Sequence, residues 1–336
     1  MAWLQLPRKF RAICIASILL AHILRREYVP VPLFSLDYGS QPTYNESKVA
    51  FLVESRPQPL LVPLMLHFMY SLPPDWRLRF MGSEVSVAAV NRSAAIREHV
   101  RSGKLDLTYI PSNMSANGQE MISRFLTTLS LYETILQPAE LLLVFQTDSM
   151  ICANSKHNID EYLGYNWVGA PWDPAGTWGG NGGLSLRSVS HIIDVLRSER
   201  RQDDSDPEDV WLSYRLGQQP HGRVANGSVS LTFSGEYNVG LPEHVSNVSN
   251  FNDSGNDSNS GSLSVSHPGD FVKGIDDWRE GYYEPMGYHI GSGGAHGSIW
   301  GTKEKREHIW QYCPEAKMIH KMDMAEFVPG NCGQEW

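Results

Sequence analysis

Apolar and polar positions along the chain switch repeatedly between a period of two and a period near 3.6. Lys48-Val-Ala-Phe-Leu-Val-Glu54 is a compact apolar run closed by a charge, the pattern of a buried strand in a parallel sheet. Leu60 to Tyr70 carries Leu64, Leu66, Phe68 and Met69, reads as a helix, and is stopped by Pro73-Pro74. Trp76 to Phe80 predicts the next strand, Ser93 to Arg101 a short helix, and Leu105 to Ile110 alternates as a strand. Met121 to Leu136 holds Ile122, Phe125, Leu129 and Tyr132 at helical spacing, which predicts one continuous helix. Glu140-Leu-Leu-Leu-Val-Phe145 is the clearest strand of all. Further on, Leu184-Ser-Leu186 reads as a strand, and Ser188 is placed to cap a helix over His191 to Leu196.

The resulting order, β-α-β-α-β-α-β, predicts an α/β domain with a mostly parallel central sheet and helices on both faces. Ligands of such sheets bind beyond the carboxyl ends of the strands, so the polar residues that end each strand are the first candidates for chemistry. Two segments interrupt the pattern. Ser198 to Pro207 is short and charged, whereas Glu243 to Asp270 is so rich in Asn, Ser, Asp and Gly that a disordered insertion is expected there.

The first residues change the picture of where the chain works. Ala12 to Leu24 is a 13-residue apolar run with Arg8, Lys9 and Arg11 before it and Arg25 and Arg26 after it. It is short for a membrane span, which takes about 20 residues. Its basic start and apolar core are those of a signal sequence, and no small-residue cleavage site follows Leu24. The expectation is an uncleaved signal anchor over 1–27, a Pro-containing stem over 28–47 and the globular domain over 48–325; an ordinary buried helix is the alternative. Seven Asn-x-Ser sequons, at Asn45, Asn91, Asn113, Asn226, Asn247, Asn252 and Asn256, favour a single-pass type II protein of the secretory pathway, in the Golgi. In an oxidising lumen Cys313 and Cys332 can pair, or both can stay unpaired.

Composition narrows the classes. The 336 residues are 41% hydrophobic and 19% charged, as in globular domains. A net charge of −9 argues against a nucleic-acid partner, because neutralising phosphates needs a basic face. Four cysteines without a CxxC pair exclude a disulfide scaffold and argue against a structural zinc site.

Four constellations remain. Phe145-Gln146-Thr147-Asp148-Ser149 ends the strongest strand; Asp148 there suits a hard divalent cation that also takes phosphate oxygens, or merely a turn. In Gly176-Thr-Trp-Gly-Gly-Asn-Gly-Gly-Leu184 the glycines allow close ligand approach or a tight turn, and Trp167, Trp172 and Trp178 crowd the same stretch. Pro207-Glu208-Asp209-Val-Trp211 opens a helix. One carboxylate of this pair can deprotonate an acceptor hydroxyl while the other caps the helix, or both can simply favour its dipole. His289 sits in the Gly-rich Glu284-Pro-Met-Gly-Tyr-His289-Ile-Gly291 and is a metal ligand or a structural residue.

The order of these constellations resembles the layout of GT-A glycosyltransferases. More closely, the phrases VAFLVESRPQP (49–59), LLVFQTDSMIC (142–152), YNWVGAPW (165–172), GGNGGLSLRS (179–188), PEDVW (207–211), EPMGYHIG (284–291) and WQYCPEAKMI (310–319) resemble the mainly fungal family catalogued as domain of unknown function 5672. The resemblance implies a single GT-A-like, Rossmann-like domain. It implies transfer of a hexose from a nucleotide-sugar donor to a hydroxyl of a glycan or glycoconjugate acceptor. Direct displacement aided by one base would invert the anomeric centre, and inversion is slightly favoured because no residue identifies a covalent sugar intermediate. Mn²⁺ or Mg²⁺ would lie at Asp148 and His289. Glu54, Arg56, Gln146, Thr147 and Ser149 would contact the donor, and Asp209 or Glu208 would act on the acceptor. Trp172, Trp178, Asn181, Gly182, Gly183 and Trp211 would line the acceptor side, and the anchor would attach the enzyme to a membrane. One departure favours an alternative: Gln146-Thr147-Asp148 stands where the GT-A pattern has Asp-x-Asp. A non-catalytic carbohydrate- or nucleotide-sugar-binding protein on a degenerate GT-A fold fits that loss.

Overall fold

The computed structural model describes residues 44–236, 284–291 and 303–319, without the side chains of 303–306. The candidate anchor at Ala12–Leu24, the stem up to residue 43, the Glu243–Asp270 segment and Cys332 lie outside the described residues.

Two apolar runs make the centre of a six-stranded sheet of order β3-β2-β1-β4-β7-β6. β1 (Lys48–Glu54) pairs in parallel with β2 (Arg77–Gly82) on one side and with β4 (Leu141–Phe145) on the other; β3 (Leu105–Tyr109) extends the parallel set from β2. β6 (Trp167–Ala170) and β7 (Asn181–Ser188) complete the sheet, with β7 antiparallel to both β4 and β6. The sheet is therefore mixed, with β7 reversed against the other five strands. A second sheet joins β5 (Ser149–Ile151), β9 (Gly287–His289) and β8 (Ser234–Gly235).

The period of two sorts β1 and β4 onto two cores. Ala50, Leu52, Leu143 and Phe145 face helix α1 (Leu61–Ser71), whose Leu61, Leu64, Met65 and Phe68 recur at one-turn spacing; Phe68 stacks on Phe145 at 3.8 Å. Val49, Phe51, Leu142 and Val144 face the other way, against Phe125, Val189, Ile192, Leu212 and Leu216. Those residues come from α4 (Gln119–Leu126), α5 (Val189–Ser198) and α6 (Glu208–Gln218). Helices thus cover both faces, as the alternation predicts.

Three local expectations differ from what is found. A helix missed by periodicity, α2 (Glu84–Val90), follows β2 directly, and Ser83 caps it by accepting from the Ser86 amide; α3 (Ala94–Arg101) follows, capped by Ser93. The continuous helix over 121–136 is broken: α4 ends at Leu126, and a wide five-residue turn resumes at Leu131–Ile135. The hydroxyls of Thr127 and Thr128 donate back to the carbonyls of Ser123 and Arg124 at 2.7 Å, competing with the helical ladder there. Ser188 does stand at the start of α5, but its hydroxyl donates to Glu140 rather than capping; Glu140 itself accepts from the Ser190 amide.

Cys313 is neither unpaired nor joined to Cys332, the two alternatives that the sequence left open. Cys313 forms a disulfide with Cys152, with Cα atoms 4.8 Å apart and a sequence separation of 161. Cys152 directly follows β5, and Cys313 directly follows α8 (Lys303–Tyr312). The segment 313–319 packs back beside β5, which brings Cys313 to Cys152: the Asn154 side-chain amide donates to the Tyr312 carbonyl, and the Ala153 backbone amide to Glu315. α7 (Gly227–Phe233) packs against β6.

Candidate functional site

The chain leaves β1, builds β2 and β3 outward, then returns to β4 on the other side of β1. The sheet order reverses between β1 and β4, and in open α/β sheets ligands bind beyond the carboxyl ends of the strands at such a point. Glu54 ends β1 and Asp148 follows β4, so two of the predicted residues flank that point. Because β7 runs in reverse, its first residues, Asn181-Gly182-Gly183, arrive at the same edge.

The turn after β4 is tightly held. The Ser149 amide donates to the Gln146 carbonyl, the Gln146 amide donates to Gly183, and the buried Ser149 hydroxyl donates to the Gly183 carbonyl at 2.7 Å. Ser149 and the Gln146 backbone thus bind β7 to β4, while Thr147 and Asp148 sit half-buried at the tip. The Ile290 amide donates to the Asp148 carbonyl, and β5 pairs with β9 so that Ser149 faces His289.

That pairing brings the buried His289 ring to Asp148. Its Nε2 lies 3.3 Å from Asp148 Oδ1, and its Nδ1 lies 3.4 Å from Oε1 of Glu236, which is also buried. Burial pulls the imidazole pKa down, but the two carboxylates more than offset this and raise it to about 10. Neither ring nitrogen makes an aligned hydrogen bond. The 3.3 Å separation is close to the about 3 Å edge between neighbouring ligands of an octahedral cation with bonds of about 2.1 Å. Among the described residues no group of three or more His, Cys, Asp and Glu is arranged to hold a metal. Two protein ligands fit an ion that takes its remaining oxygens from phosphate and water, as Mg²⁺ commonly does.

Glu54 and Arg56 form a closed unit at the end of β1. The Arg56 guanidinium donates to both carboxylate oxygens of the buried Glu54, at 2.9 and 2.7 Å, and Gln58 donates to it as well. These bonds hold the Arg56 pKa up, and Asp148 adds to the effect. Glu54 is therefore a support, and the exposed Arg56 is the cation presented toward Asp148.

Glu208 and Asp209, adjacent at the start of α6, have different fates. Glu208 is buried, and both its oxygens accept from Arg187, at 3.0 and 2.9 Å. Burial pushes its carboxyl up and Arg187 pulls it back. Asp209 is half-buried; its Oδ2 accepts from the Gly182 amide at 3.0 Å and its Oδ1 from the Val210 amide. The glycines are required by these contacts. A Cβ on Gly182 would lie 2.6 Å from Glu208 Oε1, and one on Gly183 would collide with His289 Nε2. Two consecutive residues of β7 thus touch the acid pair and the histidine in turn.

The aromatic candidates also separate. Trp172 and Trp178 are 40% and 43% exposed. Trp178 meets Tyr214 edge to face at 5.6 Å, and Tyr214 is itself 47% exposed. Trp211 is buried, with the Arg215 guanidinium 3.9 Å over its ring, so it belongs to the core and is not presented to a ligand. Asn181 turns its side-chain oxygen inward to accept from the Gly183 amide. Sequence reasoning missed Glu236 and Tyr214. Glu236 carries no motif, whereas Tyr214 was reachable from helix phase, since Trp211, Leu212 and Leu216 define the buried side of α6.

Residues 104–249 match the family described as protein of unknown function (DUF5672). No curated protein matches the chain. Low similarity to solved structures extends to the mannosyltransferase PcManGT from Pyrobaculum calidifontis in complex with GDP-Man and Mn²⁺ (14% identity, TM-score 0.38, covering 55% of this chain and 55% of that one). Others are the glycosyltransferase GlyE of Streptococcus pneumoniae TIGR4 (8% identity, TM-score 0.42, 80% and 60%) and an active-site mutant of LgtC (13% identity, TM-score 0.39, 78% and 95%). The chain spans about half the length of the mannosyltransferase and 60% of that of GlyE.

Proposed function

We propose that the protein is a glycosyltransferase that moves a hexose from a nucleotide-sugar to a hydroxyl of a glycan or glycoconjugate. One observation carries this reading: Gly182 and Gly183 touch Asp209 and His289 in turn, beside Asp148 at the strand-order reversal. That arrangement supports reading Asp209 as the acceptor base beside a donor site at Asp148 and His289. Arg56, held by Glu54, binds the diphosphate. Asp148 and His289 hold Mn²⁺ or Mg²⁺, which when bound supplies positive charge against the diphosphate oxygens. Asp209 takes the acceptor proton while the acceptor oxygen bonds to the anomeric carbon and the bond from that carbon to the diphosphate breaks. The nucleoside diphosphate leaves with the bonding electrons. Attack from the face opposite the leaving group inverts the centre. Glu208 keeps α6 and β7 together, and Trp172, Trp178 and Tyr214 offer flat apolar faces to sugar rings. The tests are thermal shifts of the protein with UDP, GDP and CMP, each with and without Mn²⁺. A ligand at about 100 times its Kd stabilises by about 2.7 kcal/mol. A Mn²⁺-dependent shift that disappears in Asp148→Ala is expected. No shift with any nucleotide would sink the donor site and leave the binding-protein alternative, which Gln146 in the Asp-x-Asp position favours.

The compartment proposed is the lumen of the secretory pathway, with Ala12–Leu24 as the anchor. The buried Cys152–Cys313 disulfide supports an oxidising environment. Asn45, Asn91, Asn113 and Asn226, the four sequon asparagines among the described residues, are all exposed. An electrophoretic shift on glycosidase treatment of the protein from a eukaryotic host, lost stepwise in Asn→Gln variants, is the expected result; an unmodified protein would remove this location.

A further inference from the structure

Glu236 has no role in the reaction as described above, yet it is among the most buried carboxylates of the protein. It directly follows β8, and β8 pairs in parallel with β9 through Ser234↔Gly287 and Gly235↔Tyr288. The next step of that register sets Glu236 beside His289. Its Oε1 is 3.4 Å from His289 Nδ1, and its Oε2 is buried without a hydrogen-bond partner. The fit is close: at Gly291, with φ +72°, a Cβ would stand 2.8 Å from Glu236 Oε1.

The ring therefore lies between two unlike carboxylates. Asp148 is partly exposed, and Glu236 is buried on the other side of the ring. A histidine that ligates a cation through one nitrogen is ordinarily oriented by a carboxylate or carbonyl at the other, which fixes its tautomer and the direction of its lone pair. We propose that Glu236 is a positioning residue: it accepts the Nδ1 proton of His289 and so presents Nε2 beside Asp148 as a ligand for a divalent cation. This rests on reading Asp148 and His289 as the cation pair. Gly183 completes the arrangement from the third side, because the ring occupies the space its Cβ would fill.

The test is Mn²⁺ binding to the full chain without nucleotide, read from the electron paramagnetic resonance signal of free Mn²⁺. Glu236→Ala is expected to weaken binding by about 10- to 100-fold with the circular dichroism and the disulfide unchanged. Glu236→Gln, whose amide oxygen still accepts from Nδ1, is expected to fall between Ala and wild type, and it serves as the test if the Ala variant does not fold. In a His289→Ala background, adding Glu236→Ala is expected to change nothing more. Wild-type affinity in either single variant, or a further loss in the double variant, overturns the positioning role while the cation pair stands. No Mn²⁺ binding by the wild type overturns the pair itself, and Glu236's role with it.

Discussion

Arg187 and Glu208 form a bidentate ion pair sealed from solvent, with the Arg187 guanidinium also 4.3 Å from the centre of the Trp167 ring. The pair joins β7 to the first turn of α6, so it sets where the neighbouring Asp209 meets Gly182. Removing one partner leaves an uncompensated buried charge, which typically costs about 3–5 kcal/mol, whereas replacing both with apolar side chains is often neutral. Arg187→Met should lower the urea midpoint strongly, and Arg187→Met with Glu208→Leu should recover most of the loss. A single variant as stable as wild type would show that the pair does not hold the two elements.

Asp209 and Glu208 are chemically alike and adjacent, but Glu208 is buried against Arg187 whereas Asp209 is half-buried, and the proposed base is therefore Asp209. Asp209→Asn should reduce sugar transfer by about 10²- to 10⁴-fold while leaving the nucleotide-induced thermal shift intact. Retained turnover would assign the base elsewhere.

That split between neighbours marks how far the sequence could be read. β1 and β4 are legible because continuous apolar runs have few other uses, and the placement of Glu54 and Asp148 follows from where those runs stop. A strand pattern does not encode direction, so the reversal of β7 was not foreseeable, although it is what brings Gly182 and Gly183 to the site. Helix phase within PEDVW buries Glu208 and Trp211 and leaves Asp209 half-open, but phase can be assigned only once the covered face is known. Contacts made across long stretches of chain, such as Cys152 to Cys313 and Glu236 to His289, leave no trace in local spacing.

The disulfide joins residues 161 positions apart and closes a loop that includes β6, β7 and all of α6. Removing a native disulfide typically costs about 2–5 kcal/mol, and a loop this long lies at the upper end on loop-entropy grounds. Cys152→Ser should lower the unfolding midpoint correspondingly, and reductant should destabilise the wild type but not the variant. Equal midpoints for the two proteins without reductant would remove the cross-link from the stability of the fold.

Gly183 offers a test of the His289 position that leaves every charged group in place. In Gly183→Ala the new methyl would occupy the space of the imidazole, so the ring must turn from Asp148. Mn²⁺ affinity should drop by at least about tenfold, as for loss of a supporting contact. Unchanged affinity would mean that His289 is not a ligand in the position described.

Protons and cations should compete at His289, and the sign of that competition is set by its neighbours. Asp148 and Glu236 hold the folded-state imidazole protonated up to about pH 10, against about 6.5 unfolded. Without metal, the stabilising contribution is fully present below pH 6.5 and is lost as pH rises through 10. A His289→Gln variant should therefore lose more stability relative to wild type at pH 6 than at pH 10.5. A cation at Nε2 must displace the proton, so Mn²⁺ affinity should climb with pH across 6.5 to 10, and binding at pH 8 should release about one proton. Titration calorimetry in buffers of different ionisation enthalpy measures that proton directly. A release of none in the wild type, equal to that of His289→Gln, would place the cation away from this ring.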